Sequence, residues 1–334
     1  MGGCLVSGKV VSLREVESLE VICLMDNCVD FTSSISRREV QGVRSWVEKR
    51  MGKDWVKKNF CLPIAEHGLS MLVTVACNGK QHSVLFDTGV SPEGAVLNAR
   101  GMGINLGQIE AVVLSHGHYD HFGGLLSFVR AVGRADMPII VHEDMFKTRG
   151  VASMDGSVRR YPEFPQETQI RPAKYVKTKE PYLLADGALL VTGEIPREMD
   201  FEKGYTQHRA LVDGKWQPDP WVWDDRALVA HVKNKGLVIL SGCAHAGIVN
   251  TVLYARKITG IERVHAIIGG FHLSGRDCEE RIGKTVDMLK HFKPELIAPM
   301  HCTGWRGAFA IASAMPEAFV WNSVGNLYTF EFGV

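Results

Sequence analysis

The segment Ser115-His116-Gly117-His118-Tyr119-Asp120-His121, directly after the apolar run Ala111-Val112-Val113-Leu114, most limits what this chain can become. The apolar run reads as a buried strand, so the polar residues stand at a strand exit. His116 and His118 are two apart on extended chain, so their imidazoles can point the same way and grip one ion. Asp120 and His121 fall where the chain turns into a helix; they project elsewhere and can hold a second ion. A solvated loop explains one histidine better than it explains three with an aspartate in this spacing. Gly123-Gly124 follows, permitting close backbone approach beside a crowded site.

Composition narrows the partners. Hydrophobic residues make up 46% and charged residues 22% of the 334, which fits an ordinary globular chain. With 38 basic and 37 acidic side chains, no global field favours nucleic acid or an anionic membrane. The eight cysteines are scattered, and Cys243, Cys278 and Cys302 lie in or beside candidate metal motifs. That distribution suits a reducing compartment better than a disulfide framework. No apolar stretch is long enough to span a bilayer. The start, Met1-Gly2-Gly3-Cys4-Leu5-Val6-Ser7, lacks signal-peptide character and misses the myristoylation pattern at Val6. The expected location is cytoplasmic.

Along the chain, Leu19 to Leu24 reads as a first strand. Val40, Val43, Trp46, Val47, Met51 and Trp55 recur at roughly helical spacing and predict an amphipathic insertion near 33–58. Asn78-Gly79 marks a hairpin between strands Leu69 to Ala76 and His82 to Asp87. Helices are expected over Glu93 to Met102, Phe122 to Val132, Gly247 to Thr259 and Cys278 to Phe292. Further strands are expected at Pro138 to His142, Ala188 to Thr192, Ala227 to Val232, Leu237 to Leu240, Val264 to Ile268 and Leu296 to Pro299. Phe319 to Phe332 reads as a closing strand or two. Glu143 to Asp186 is irregular and rich in Pro, Arg, Lys and Tyr, as a lid would be. Trp216, Trp221 and Trp223 punctuate a second loop. Without repeats or linkers, the expectation is one domain over 1–334.

The H-x-H-x-D-H pattern after a strand resembles the signature of the metallo-beta-lactamase superfamily, and Leu85-Phe86-Asp87-Thr88-Gly89 resembles its first motif. Ala65-Glu66-His67-Gly68-Leu69-Ser70, Ser241-Gly242-Cys243-Ala244-His245-Ala246-Gly247, Gly269-Gly270-Phe271-His272-Leu273 and Met300-His301-Cys302-Thr303-Gly304 resemble one branch, that of the dihydropterin-type aminobenzene ribosyl phosphate synthases. The resemblance implies an α/β fold, the four-layer αββα metallo-beta-lactamase sandwich, with the site along one edge where strand ends meet. It implies two divalent ions, zinc first, with manganese or iron suited to the same ligands.

The family usually completes the first site with a later histidine, bridges both ions with an aspartate and closes the second site with a final histidine. This sequence departs from that pattern. Gly193-Glu194-Ile195-Pro196-Arg197 stands where the third histidine is expected, and Gly242-Cys243-Ala244-His245 where the bridging aspartate is. The implied reconstruction puts His116, His118 and His245 on the first ion and Asp120, His121 and His301 on the second. Cys243 sits at the bridge or merely fills space beside a glycine; Glu194 is a weak ligand, a substrate contact or part of a turn. Asp87 would orient a ligand imidazole. Asp120 and His272 are the candidate catalytic residues, although His272 could instead bond a backbone carbonyl. Of the remaining histidines (His67, His82, His142, His208, His231, His265, His291), only His67 lies in a motif.

Three classes of function follow. The first is a hydrolase that turns metal-activated water on a small anionic substrate such as a phosphoester. The second is a dihydropterin-type transferase releasing diphosphate. The third is a metal-binding sensor. Arg149, Arg159, Arg160, Arg171, Lys174 and Arg197 could meet a phosphorylated or pterin-like substrate, and lid aromatics could stack on a flat ring. Nucleic-acid and membrane partners are not expected.

Overall fold

The computed structural model describes residues 10–35 and 37–331. The readings of the N-terminal Met1 to Ser7 segment and of Phe332 lie outside the described residues. Two large sheets stack face to face. The first runs, in spatial order, Lys174–Lys177, Pro138–Val141, Ile109–Val113, Lys80–Phe86, Ser70–Cys77, Ser18–Met25, Leu327–Glu331 and Val40–Gln41. The second runs Tyr182–Leu184, Leu189–Val191, Ala227–Val232, Gly236–Ser241, Val264–Gly270 and Leu296–Met300, with Glu15–Val16 beside Ala227–Val232.

Alternation within the strands builds three apolar layers. Val73, Val75, Phe86, Ala111 and Val113 of the first sheet meet Val191, Leu228, Val238, Leu240 and Ile268 of the second. The opposite face of the first sheet, with Leu72, Leu85 and Val112, packs on helices Val43–Met51, Gly94–Gly101 and Leu125–Val132. The opposite face of the second, with Leu237, Ile239 and Ile267, packs on Ile248–Thr259, Ile282–Phe292 and Gly304–Ala314. These layers form an αββα sandwich. Because both faces of each sheet are covered, Ala111 to Leu114 can be uniformly apolar.

The hairpin turn falls at Asn78-Gly79, with Cys77 facing Lys80 and φ of 52° and 71° at the two turn residues, as a tight two-residue turn demands. The predicted helix from Phe122 is broken into Tyr119–Phe122 and Leu125–Val132. A side chain at Gly123 or Gly124 would collide with the carbonyls of Val90 or Thr88, so this pair lets the loop at 115–121 and the turn after it lie against the 88–90 segment.

Several expectations need correction. Only part of 33–58 is helical, as Val43–Met51 and Lys53–Asn59, while Val40 joins a short edge strand. The helix Gly304–Ala314 was not foreseen. The segment 143–186 is not uniformly irregular: Lys174–Lys177 and Tyr182–Leu184 extend the two main sheets. Arg149–Ala152 and Val158–Arg160 instead pair with His208–Val212 and Lys215–Pro218 in a separate four-stranded sheet, ordered Lys215–Pro218, His208–Val212, Arg149–Ala152, Val158–Arg160. These short strands were missed because few side chains of Val158–Arg160 and Lys215–Pro218 are buried, and because the pairing that joins the two hairpins, Arg149–Ala152 with His208–Val212, brings together residues far apart in the chain. Among the described residues, no helix is long and apolar enough to cross a membrane.

Candidate metal centre

The ends of strands from both large sheets converge on one edge of the sandwich. The chain leaves four of them through left-handed residues: Asp87 (φ 60°), Ala244 (52°), His272 (44°) and His301 (49°). Such conformations cost about 1–3 kcal/mol each and persist only where the surroundings impose them. Here each turn aims a side chain, or the one beside it, into a shared space.

His116, His118 and His245 bring ring nitrogens within 4.8 Å of one another. The hydrogen-bond partners behind the rings fix which nitrogens face inward. Ser115 Oγ donates to Asp87 Oδ2 at 2.7 Å, so it accepts from His116 Nδ1 at 2.9 Å, leaving the lone pair on His116 Nε2. That atom lies 3.0 Å from His118 Nδ1. Both ring nitrogens of His245 are buried without a partner. Burial, followed by the neighbouring charges, pushes all three imidazoles well below their ordinary pKa. The neutral form this favours is the form that binds a metal ion.

The second group forms around Asp120. Its Oδ2 lies 3.2 Å from His301 Nε2, 3.8 Å from His121 Nε2 and 3.7 Å from His67 Nε2. His121 Nδ1 donates to Asp87 Oδ2 at 2.7 Å, and Asn27 Oδ1 faces His301 Nδ1 at 3.4 Å. In the neutral rings, both Nε2 lone pairs therefore turn toward the carboxylate. Nitrogens so placed around a carboxylate call for positive charge, whether a proton or a metal ion. Burial opposes a proton on His121, but Asp87 and Asp120 outweigh it and lift the ring to about 9. Burial likewise opposes ionisation of Asp120, and His121 and His301 overcome it, holding the acid below its usual range. A divalent ion would satisfy the same field.

Cys243 lies where these groups meet. Its sulfur is 3.2 Å from His121 Nε2 and belongs to three sets of mutually close donors: with His116 and His121, with His245 and His272, and with His301 and Cys302. It faces the donors and not the apolar core. Burial pushes this thiol up. His272 packs its ring on His245 at 4.2 Å and on Tyr205 at 5.5 Å, and its Nδ1 bonds no backbone carbonyl. Burial disfavours its protonation, but Cys278 and Cys302 reverse this and raise it to about 9. Asp87 accepts from Ser115 N, Ser115 Oγ and His121 Nδ1, all at 2.7 Å, so it braces the ligand loop from behind.

A cleft of about 290 Å³ opens onto these groups, with Tyr119, Tyr161, Tyr205, Arg159 and Arg276 among its walls. Of the six cations expected to meet substrate, only Arg159 lines it. Arg149 is buried in a two-pronged pair with Asp224, Arg160 pairs with Glu163, Lys174 with Asp136, and Arg197 donates to backbone carbonyls. Arg276 was not singled out in the sequence. Trp221 and Trp223 pack on each other away from the cleft, and the aromatic rings that line it are tyrosines. Glu194 accepts from His142 at 2.9 Å and stands outside the cleft.

His208 was set aside in the sequence and is found fully buried behind His118, Nε2 to Nε2, at 2.8 Å. No motif or spacing marks it, because the contact crosses from the small sheet to the metal loop.

Comparison with known proteins places the fold and the family. The metallo-beta-lactamase superfamily profile matches residues 65–254. The 7,8-dihydropterin-6-methyl-4-(beta-D-ribofuranosyl)-aminobenzene-5'-phosphate synthase of Methanocaldococcus jannaschii is 32% identical over 279 residues, covering 80% of this chain and 90% of its own. An uncharacterised protein of the same archaeon is 32% identical over 267 residues, covering 79% and 93%. Among solved structures, Tm1679, described as a metal-dependent hydrolase of the beta-lactamase superfamily, superposes with a TM-score of 0.69 at 23% identity, covering 94% of this chain and 99% of its own.

Proposed function

The chain belongs to the metallo-beta-lactamase superfamily, and from that premise we propose that it is a dinuclear metal-dependent hydrolase of a small, phosphorylated substrate. His116, His118 and His245 would hold one ion and Asp120, His121 and His301 the other, with Cys243 between them. A nitrogen-rich set that includes a thiol favours zinc over manganese or iron. When bound, such ions supply a hydroxide near neutral pH and neutralise phosphate oxygens.

The protein's own groups then divide the work. Asp120 orients the nucleophilic water beside His301. His272, on the cleft wall, is placed to hand a proton to the leaving oxygen. Arg159 and Arg276 meet the anionic end of the substrate, and Tyr161 and Tyr205 flank a flat ring. The observation that carries this reading is the convergence of ring nitrogens of His116, His118 and His245 in one set, and of His121 and His301 beside an ionised Asp120 in the next. The test is metal content of protein purified without added metal, paired with a screen of phosphoesters. Metal-free protein that is also inert after zinc addition would remove the reading.

A second reading has its own support. The archaeal relative is named a synthase, and the match covers most of both chains. In that reading the site would join a ribofuranosyl-aminobenzene phosphate to a dihydropterin bearing a diphosphate, with the ions gripping the leaving group. Diphosphate release that requires the aminobenzene partner separates this from hydrolysis, which requires water alone.

A further inference from the structure

We infer that His208 selects the metal-binding tautomer of His118, so that metal affinity and the seating of the small four-stranded sheet over the cleft are coupled. This inference rests on the metal-site reading above.

His208 Nδ1 lies 2.7 Å from the carbonyl oxygen of Asp219, which can only accept, so Nδ1 carries the proton. In the neutral ring Nε2 is then an acceptor. It faces His118 Nε2 at 2.8 Å, which must donate. The proton of His118 is thereby held on Nε2, and the lone pair is left on Nδ1, the atom 3.0 Å from His116 Nε2. Without His208, His118 is free to place its proton on Nδ1 and face the ion with an N–H.

The imidazole pair is not the sole tie between the sheet and the 115–121 loop. Arg149, on the strand paired with His208–Val212, grips Asp224 with both arms of its guanidinium. Asp224 Oδ2 also accepts from the backbone N–H of Gly117 at 2.7 Å, between the two histidines of the loop. A Cβ at Gly117 would stand 2.7 Å from Met145 Cα and 3.0 Å from Arg149 Nη1, so the approach requires glycine there. The same sheet carries Arg159, Tyr161 directly follows its strand Val158–Arg160, and Tyr205 lies three residues before its strand His208–Val212; all three wall the cleft. The body that presents the substrate wall therefore also braces the first metal ligands. By linkage, if seating the sheet raises metal affinity, metal binding favours seating by the same factor.

The experiment compares zinc affinity, by competition with a chromophoric chelator, in wild type, His208→Leu and His208→Gln. Glutamine can accept from His118 through Oε1 and donate to the Asp219 carbonyl through Nε2; leucine can do neither. The leucine variant should bind zinc about 10–100-fold more weakly, the usual cost of losing such a partner, and glutamine should recover most of it. Zinc should slow amide hydrogen exchange in Arg149–Ala152 and His208–Val212 of wild type, and much less in His208→Leu. Imidazole ¹⁵N shifts of metal-free wild type should place the His118 proton on Nε2. Equal zinc affinity in wild type and His208→Leu, no recovery by glutamine, or a proton on His118 Nδ1 overturns the inference, the last without reliance on any variant's folding. Wild type that binds zinc while the variants do not differ sinks the coupling alone. Wild type that binds no zinc sinks the metal-site reading with it.

Discussion

The sandwich edge and the small sheet both contribute histidines to one site, yet they are built in opposite ways. On the edge, each functional side chain follows a long buried strand within a few residues: His116 after Ile109–Val113, His245 after Gly236–Ser241, His301 after Leu296–Met300. Packing on both faces of those strands fixes where each turn begins. In the small sheet, position depends on polar ties: the Arg149–Asp224 pair, the His118–His208 contact and the Asp224 bond to Gly117. The edge thus positions its donors chiefly through apolar packing, whereas the small sheet is seated on it by polar contacts, and those contacts couple the two.

The largest effects are expected on the edge. His116→Ala and His301→Ala should each lose metal and activity together; normal stoichiometry in either would show that the edge does not hold the ions. Next comes Cys243. If its thiolate lies between the ions, a chelator should increase its alkylation, serine should weaken metal binding and aspartate should preserve it in part. Alkylation indifferent to chelator would leave His245 as the only ligand from its loop.

Arg149→Leu tests the other region. It leaves the buried Asp224 carboxylate without its guanidinium, keeping only the Gly117 N–H bond, and breaking a buried pair of this kind costs about 3–5 kcal/mol, which urea unfolding should register. Arg159→Met should raise KM for a phosphorylated substrate about tenfold with kcat little changed, since a charge-assisted hydrogen bond of roughly 1.4 kcal/mol corresponds to that factor. A fall in kcat of the same size would place Arg159 in the chemical step instead.

The smallest effect concerns neither region's ligands. Glu202 is buried and accepts from the backbone N–H groups of Val249 and Asn250. Burial outweighs those bonds and lifts the acid to about 7. A folded pKa above the unfolded one means stability present below about pH 4.5 and lost as pH rises through 7. Glu202→Gln should flatten that slope in urea midpoints measured across the window. An unchanged slope would assign the dependence to Asp225, which burial also raises to about 7.

Much of the edge was legible because its signals are local. An apolar run followed within a few residues by His116, His118, Asp120 and His121 announces both a buried strand and its exit. The Asn78-Gly79 turn and the glycines at 123 and 124 were readable for the same reason: a backbone requirement is met by the residue that bears it. The small sheet escaped notice because Val158–Arg160 and Lys215–Pro218 are largely exposed and show no sustained apolar alternation. His208 looked like any polar-loop histidine, and Arg276 like any surface cation.

Sequence by itself determined the layered α/β architecture, the strand exits and the kinds of donor atom they deliver. Buried strands and metal donors are chemically distinctive and recur at fixed offsets along the chain. Tertiary structure decided which nitrogen of each histidine faces inward, that Cys243 lies among three donor groups, and that His208 stands behind His118. Those outcomes depend on hydrogen-bond partners brought together from distant parts of the chain. A proton's place on an imidazole such as His121 or His118 is set by what stands at 2.7–2.8 Å across the fold.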